Sequence, residues 1–329
     1  MIKADNTVVL KGKNEVSKFN VKDFLMKYIM YIVLVLMSIT LAVANDKFLT
    51  TGNMMTILKQ ISIQSIVAIG MTMIIISGNI DLSVGSVVAF CSVTGAMMMT
   101  SGVPIWLAVL LVVGIGGLLG FVSGGVTAKL KLHSFLVTLA LMQAVRGLAQ
   151  TITGGYPKAG LPEVFGAVAA KSIFGIPILV IYMIIFYAVF IYIMKYTAFG
   201  RSIYAIGSNE ESARLSGINV EKVKTMVFVI SSALCGVAGL LLTSKVRSGD
   251  PTSANGWEMD AIAGAIIGGT NMAGGEGKLG GTIIGLLFVG ILANGMVLLG
   301  VNAYMQSVVK GLVIFLAVII NSIQKRSQN

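Results

Sequence analysis

Uncharged stretches longer than about 18 residues recur along this chain, each long enough to cross a hydrocarbon layer roughly 30 Å thick. A soluble core can bury one such stretch, but not a whole series. Charged residues make up about 25% of an ordinary soluble protein; here they are 11% of 329 residues. The chain therefore reads as an all-α polytopic membrane protein and not as one large hydrophobic soluble domain.

About ten transmembrane helices can be placed, at 28–44, 60–77, 84–99, 106–128, 135–153, 175–194, 226–243, 261–272, 279–299 and 303–323. The first ends in Ala42-Val43-Ala44, which resembles a signal-peptidase site. The polar segment before it is long for a signal peptide and more spans follow, so an uncleaved span is expected. Residues 1–27 form a polar N-terminal tail, 28–324 a single transmembrane domain and 325–329 a C-terminal tail. The span at 261–272 is short and glycine-rich, as a broken helix would be.

An even number of spans puts both termini on one side. Sixteen Lys and Arg residues fall on that side and six on the other, with Arg146 and Lys310 inside spans. The bias marks both termini as cytoplasmic in a cell membrane, and Trp106 and Trp257 then fall near the outer interface. The net charge of +11 is thus an orientation signal and implies no nucleic acid. Gly116, Gly120 and Gly124, Gly277, Gly281 and Gly285, and the pair Gly264 and Gly268 recur every four residues, which suits close helix packing.

Residues 196–224 are the one long polar interruption in the body of the chain. Ser208 and Asn209 are N-cap types, Glu211 stands three residues after Ser208 as a capping box requires, and Gly217 suits the left-handed C′ position. The pattern predicts a short helix over 209–216, presented to solvent as a docking surface for a soluble partner. The plainer alternative is a solvated loop, although loops beyond about 12–15 residues tend to be functional or disordered.

No enzyme constellation is present. His133 is the only histidine, and Cys91 and Cys235 fall in apolar spans as small buried hydrophobes. The nearest approach to a phosphate-binding loop is Gly277-Lys278, followed by Leu279, with Met272 where its first glycine would stand. Any ATP hydrolysis must come from another subunit. Within the spans, Gln143, Arg146, Gln150 and Thr153 share one helical face, as do Asn302, Gln306 and Lys310. Asp260 is placed to pair with Lys310. These residues line a hydrated pathway or serve as helix-helix glue. Asn79, Asp81 and Ser83 sit between two spans, where one of the last two caps the following helix or the break forms a gate.

Three motifs in order, Gly78-Asn79-Ile80-Asp81-Leu82-Ser83-Val84-Gly85-Ser86, Phe199-Gly200-Arg201 to Gly217-Ile218, and Gly268-Gly269-Thr270 through Gly280-Gly281-Thr282, resemble the ribose-type permeases of ABC importers. The resemblance covers about residues 45–322. It implies a type II importer fold of ten spans, as in the cobalamin-type importers. It also implies a second permease copy or paralogue, ABC ATPase subunits that carry the ATP-Mg, and an external or periplasmic sugar-binding protein. The cytoplasmic loop would hold the coupling helix, a role carried over to Gly200, Arg201, Gly207, Asn209, Ala213, Gly217 and Ile218. Ser212 stands where alanine is expected. Glu210 belongs to the same candidate surface. Asn79, Asp81, Ser83, Gln143, Arg146, Gln150, Gln306 and Lys310 are the candidate pathway or gate residues.

A weakly charged, amide-lined route suits a neutral polyol, so a monosaccharide such as ribose, galactose or xylose is the expected cargo. Nucleosides or a furanosyl signal are the nearest alternatives within the superfamily. From other classes, an ion-coupled secondary transporter would need midplane acids, for which Asp81 is the one weak candidate, and a scaffold or sensor would move nothing.

Overall fold

A computed structural model describes residues 21–326 of the chain, with side chains from 31 to 319. Helix α1 (Val21–Ala44) is followed by α2 (Thr51–Ile76), α3 (Val84–Thr100), α4 (Ile105–Leu130) and α5 (Ser134–Thr153). A short α6 (Glu163–Ala170) and a two-residue-per-strand hairpin, β1 (Ser172–Ile173) and β2 (Ile176–Pro177), lead into α7 (Ile178–Tyr196). Next come α8 (Ala198–Ser208), α9 (Glu210–Leu215) and the long α10 (Val220–Val246). The chain closes with α11 (Trp257–Ile267), α12 (Leu279–Leu298) and α13 (Ala303–Arg326).

Six of these (α2, α4, α5, α7, α10 and α12) are long and apolar enough to cross a membrane. Helices α1, α3 and α13 carry shorter apolar stretches at Tyr31–Ala44, Val84–Thr100 and Ala303–Ile319. This is a helical, multi-pass membrane protein. Helix α1 already begins within the segment read as a polar tail, and α2 starts nine residues before the span placed at 60. The Thr50 hydroxyl accepts from the Asn53 N–H and starts α2 early, where Lys59 and Gln60 had masked the pattern. The stretch 154–174, left between two of the placed spans, contains α6, held by the Ser244 hydroxyl, which donates to Phe165 O and accepts from Ala169 N.

Helix α10 is the axis of the fold, and small residues bring its neighbours against it. Gly116 and Gly120 of α4 lie on the carbonyls of Ser232 and Phe228, and Gly70 of α2 lies on Ser231. A side chain at any of these positions would meet α10 itself, so the regular glycine spacing is a packing seam. Gly264 of α11 and Gly268 at its C-terminal cap meet Leu286, Gly281 and Thr282 of α12 in the same way. Cys91 and Cys235 are free and buried.

The seams also fix depth. Gly70 of α2 faces Ser231, 11 residues into α10, or about 16 Å at 1.5 Å per residue. Gly239 faces Val88 and Cys91 of α3, 19 residues in, or about 28 Å. Helix α2 thus runs down to Ile76 near one end of α10, whereas α3 begins well up its length. Residues 77–83 climb between them through the interior in non-helical form. On the other side, Gly249 packs on Ser92 and Val93, and Ala254 and Glu258 reach down to Gly85. The connection 247–256 therefore dips inward, and α11 starts where α3 starts. Both are discontinuous helices whose first turns meet inside the protein.

Candidate functional site

Irregular backbone inside a membrane requires partners from the protein. For residues 77–83 these come from the first turns of α5. The Ser134 hydroxyl accepts from Ile80 N–H at 2.9 Å, and Thr138 Oγ1 accepts from Leu82 N–H at 3.1 Å. Asp81 Oδ1 accepts from both the N–H and the hydroxyl of Ser83, at 2.8 and 2.6 Å. The side-chain cap expected from Asp81 or Ser83 does not form on α3. Ser83 is the N-cap residue of α3 but makes no side-chain cap bond, and its own groups are spent on Asp81. Asp81 is fully enclosed, and its Oδ2 has no hydrogen-bond partner among the described residues. Asn79 turns back to donate to Ser77.

The dipping connection 247–256 is satisfied from α5 as well. One guanidinium nitrogen of Arg146 donates to Pro251 O at 2.9 Å and to Ser253 O at 2.8 Å. The positive charge within a span thus has a structural task, to bind the carbonyls of a buried turn. Gln143 and Gln150 lie one turn to either side of Arg146 on the same helix and remain exposed. Gln306 instead bonds locally, to Val301 O, and does not join Lys310 in a network. Lys310 pairs with Asp260, at 3.0 and 3.1 Å, as the sequence suggested, and Gln64 of α2 donates to the same carboxylate at 3.2 Å. The three residues tie α13, α11 and α2 together.

The polar segment 196–224 folds as two helices and the start of a third. The capping box on Ser208 does not form, because Ser208 ends α8. Asn209 is the N-cap of α9 and its Oδ1 accepts from Ser212 N–H at 2.8 Å. Gly217 takes the left-handed conformation expected of it, at φ +83°. Ala213, Ile206 and Val220 form a small core with Ile218 beneath. Glu210 binds Arg214 on its own helix and Lys224 on α10, which fixes α9 to the next span.

The candidate coupling residues divide into two sets. Gly200 and Ala213 are buried and Gly207 is half-buried, all facing the protein, whereas Arg201, Asn209 and Gly217 face outward. Leu215, which sequence reasoning passed over, is 81% exposed at the end of α9. Its signal was present: it stands two residues from buried Ala213, about 200° round a helix, and so must point away from the small core.

Helix α8, also unforeseen, holds the junction that matters most. Gly207 lies directly against the carbonyl of Ile76 at the end of α2 and against Gly275 N. Gly274 packs on Gly78 and on the carbonyl of Gly207, and Gly275 N–H donates to Ile76 O at 2.8 Å. The Tyr204 phenol donates to Gly277 O at 2.9 Å, and burial raises its pKa, so it stays a donor. Main chain from α8, from the foot of the 77–83 segment and from the 268–278 connection below α11 thus meets at one point.

The chain matches the family model described as "Branched-chain amino acid transport system / permease component" over residues 53–318. It is 40% identical over 311 residues to the ribose import permease protein RbsC of Haemophilus influenzae, covering 93% of this chain and 96% of that one. The chain belongs to the ribose-type ABC permease family. The RbsC protein of Bacillus subtilis is 39% identical over 290 residues, 88% of this chain and 90% of that one. The L-arabinose transport system permease protein AraH of Escherichia coli is 35% identical over 302 residues, 92% of each. No solved structure matches the permease. The matched region contains both breaks, the junction of α8 and the whole of α9.

Proposed function

We propose that this chain is the membrane-spanning subunit of an ATP-driven importer and forms the path for a monosaccharide handed over by an external binding protein. The observation that carries this reading is the junction of Gly207 with Ile76 and Gly275. It puts a helix pair at one face of the protein in direct contact with the foot of the 77–83 break and with the 268–278 connection that follows α11. ATP binding on a partner ATPase would move α8 and α9, and the ends of α2 and α11 would follow. The permease itself performs no covalent chemistry. Helices α1, α3, α11 and α13 bring the proposed spans to ten, with both termini on the side of α8 and α9. A second copy or a paralogue would complete the path along the exposed face of α5, which carries Gln143 and Gln150.

A neutral sugar fits the electrostatics. Asp81 is sealed, Arg146 is occupied by two carbonyls, and Lys310 is matched by Asp260. The names of the relatives, ribose and L-arabinose permeases, point to pentoses. The test is uptake of labelled ribose, arabinose, galactose and a nucleoside into proteoliposomes holding the permease, its ATPase and its binding protein. ATP-dependent uptake of a pentose is expected. Uptake that follows a proton gradient and needs no ATPase would instead establish a secondary transporter.

A further inference from the structure

The cytoplasmic-side ends of α4 and α10 enclose a groove of about 680 Å³ that no part of the proposed transport cycle uses. Its depth is apolar, with Phe121, Val122, Met226 and Val229 along the walls. Phe121 and Val122 are exposed, at 55% and 46%. The floor is opened by Gly125, where an added Cβ would meet nothing within 4 Å. The mouth is polar. Lys129 from the last turn of α4 and Lys222 from the first turn of α10 both line it and are exposed, and neither forms an ion pair among the described residues. Glu221 lines it too, so the mouth keeps one net positive charge. The N-terminal end of α10, a helix of 27 residues, adds the positive end of its dipole.

An apolar trough that opens sideways, topped by two lysines and a helix N-terminus at the level where a span leaves the membrane, has the chemistry of one ligand class. We propose that this groove binds an anionic phospholipid, its acyl chain along Phe121 and Met226 and its phosphate between Lys129 and Lys222. With two lysines against the single Glu221, the mouth favours an anionic headgroup over a zwitterionic one. The site stands beside the coupling element. Lys224, two residues past Lys222, holds Glu210 of α9, so an occupied groove would steady the first turn of α10 on which α9 is anchored. The inference does not depend on which solute the permease carries.

Native mass spectrometry of the purified permease, incubated with phosphatidylglycerol or phosphatidylcholine, tests it. Wild type should retain phosphatidylglycerol in preference, and each lysine near a charged membrane surface is worth about a fivefold change in occupancy. The double variant Lys129→Gln/Lys222→Gln should lose that preference. Gly125→Leu, whose Cβ enters open space and whose side chain takes up room in the trough, should lower retention of both lipids. Equal retention of the two lipids by wild type, or an unchanged preference in the lysine variant, would overturn the proposal. Displacement of the lipid by inorganic phosphate would show a site for the free anion and would also overturn it. The lysines are on the surface, so their variant should fold even if Gly125→Leu does not.

Discussion

The carbonyl oxygen of Ile76 faces the α-carbon of Gly207 with no room for a methyl group between them. Helix α8 therefore rests directly on the end of α2. Gly207→Ala must push the two apart or fail to seat α8. The expected outcome is an assembled complex in which ATP hydrolysis persists but sugar uptake falls at least tenfold, or an unstable protein with a lowered thermal midpoint. Uptake and hydrolysis measured together in proteoliposomes distinguish the two. Wild-type coupling in this variant would rule out the junction as the route of force.

Leu215 offers the opposite case, an apolar side chain that does nothing for the fold. Leu215→Glu should leave the thermal midpoint unchanged and weaken association with the ATPase about thirtyfold, the equivalent of an interface hot spot worth ~2 kcal/mol. Co-purification in mild detergent, with ATPase activity assayed in the eluate, reads this directly.

Ser134 and Thr138 hold the 77–83 segment by its backbone. Ser134→Ala or Thr138→Ala leaves an N–H unpaired in the interior, at a cost of about 1–3 kcal/mol. Asp81→Asn keeps an oxygen for Ser83 and should be tolerated better than Asp81→Ala. Thermal unfolding in detergent should rank Asp81→Ala below Asp81→Asn. An equal ranking would mean that the contact with Ser83 has no structural weight.

Asp260 is buried and Lys310 is partly exposed. Removing only the lysine, in Lys310→Met, strands a carboxylate beside Gln64 and should cost on the order of 3 kcal/mol. The double change Asp260→Asn/Lys310→Met should recover much of that loss. A double-mutant cycle on thermal stability measures the coupling, and simple additivity would show that the pair contributes nothing.

Much of this was legible before any coordinates. The hydrophobic runs located the six long apolar helices, because a membrane demands length and the absence of charge from each one independently. Asp260 and Lys310 could be paired because both charges needed an excuse. Gly217 was readable from a local rule. What escaped reading depended on tertiary contact. Helix α8 looks like loop because its one apolar face, Ile203 and Ile206, is too short to show a period. The role of Arg146 could not be guessed, since its partners are main-chain carbonyls more than a hundred residues away. The rise of residues 77–83 through the interior is set by how α2 and α3 register on α10, which no local pattern records.

The meeting point of Gly78, Gly207, Gly274 and Gly275 is built mostly of main chain, and that has a consequence for diversification. A lever made of side chains would have to be rebuilt whenever the cargo changed. The lever proposed here is made of backbone and would hold no information about cargo, so residues facing the solute could vary without rebuilding it.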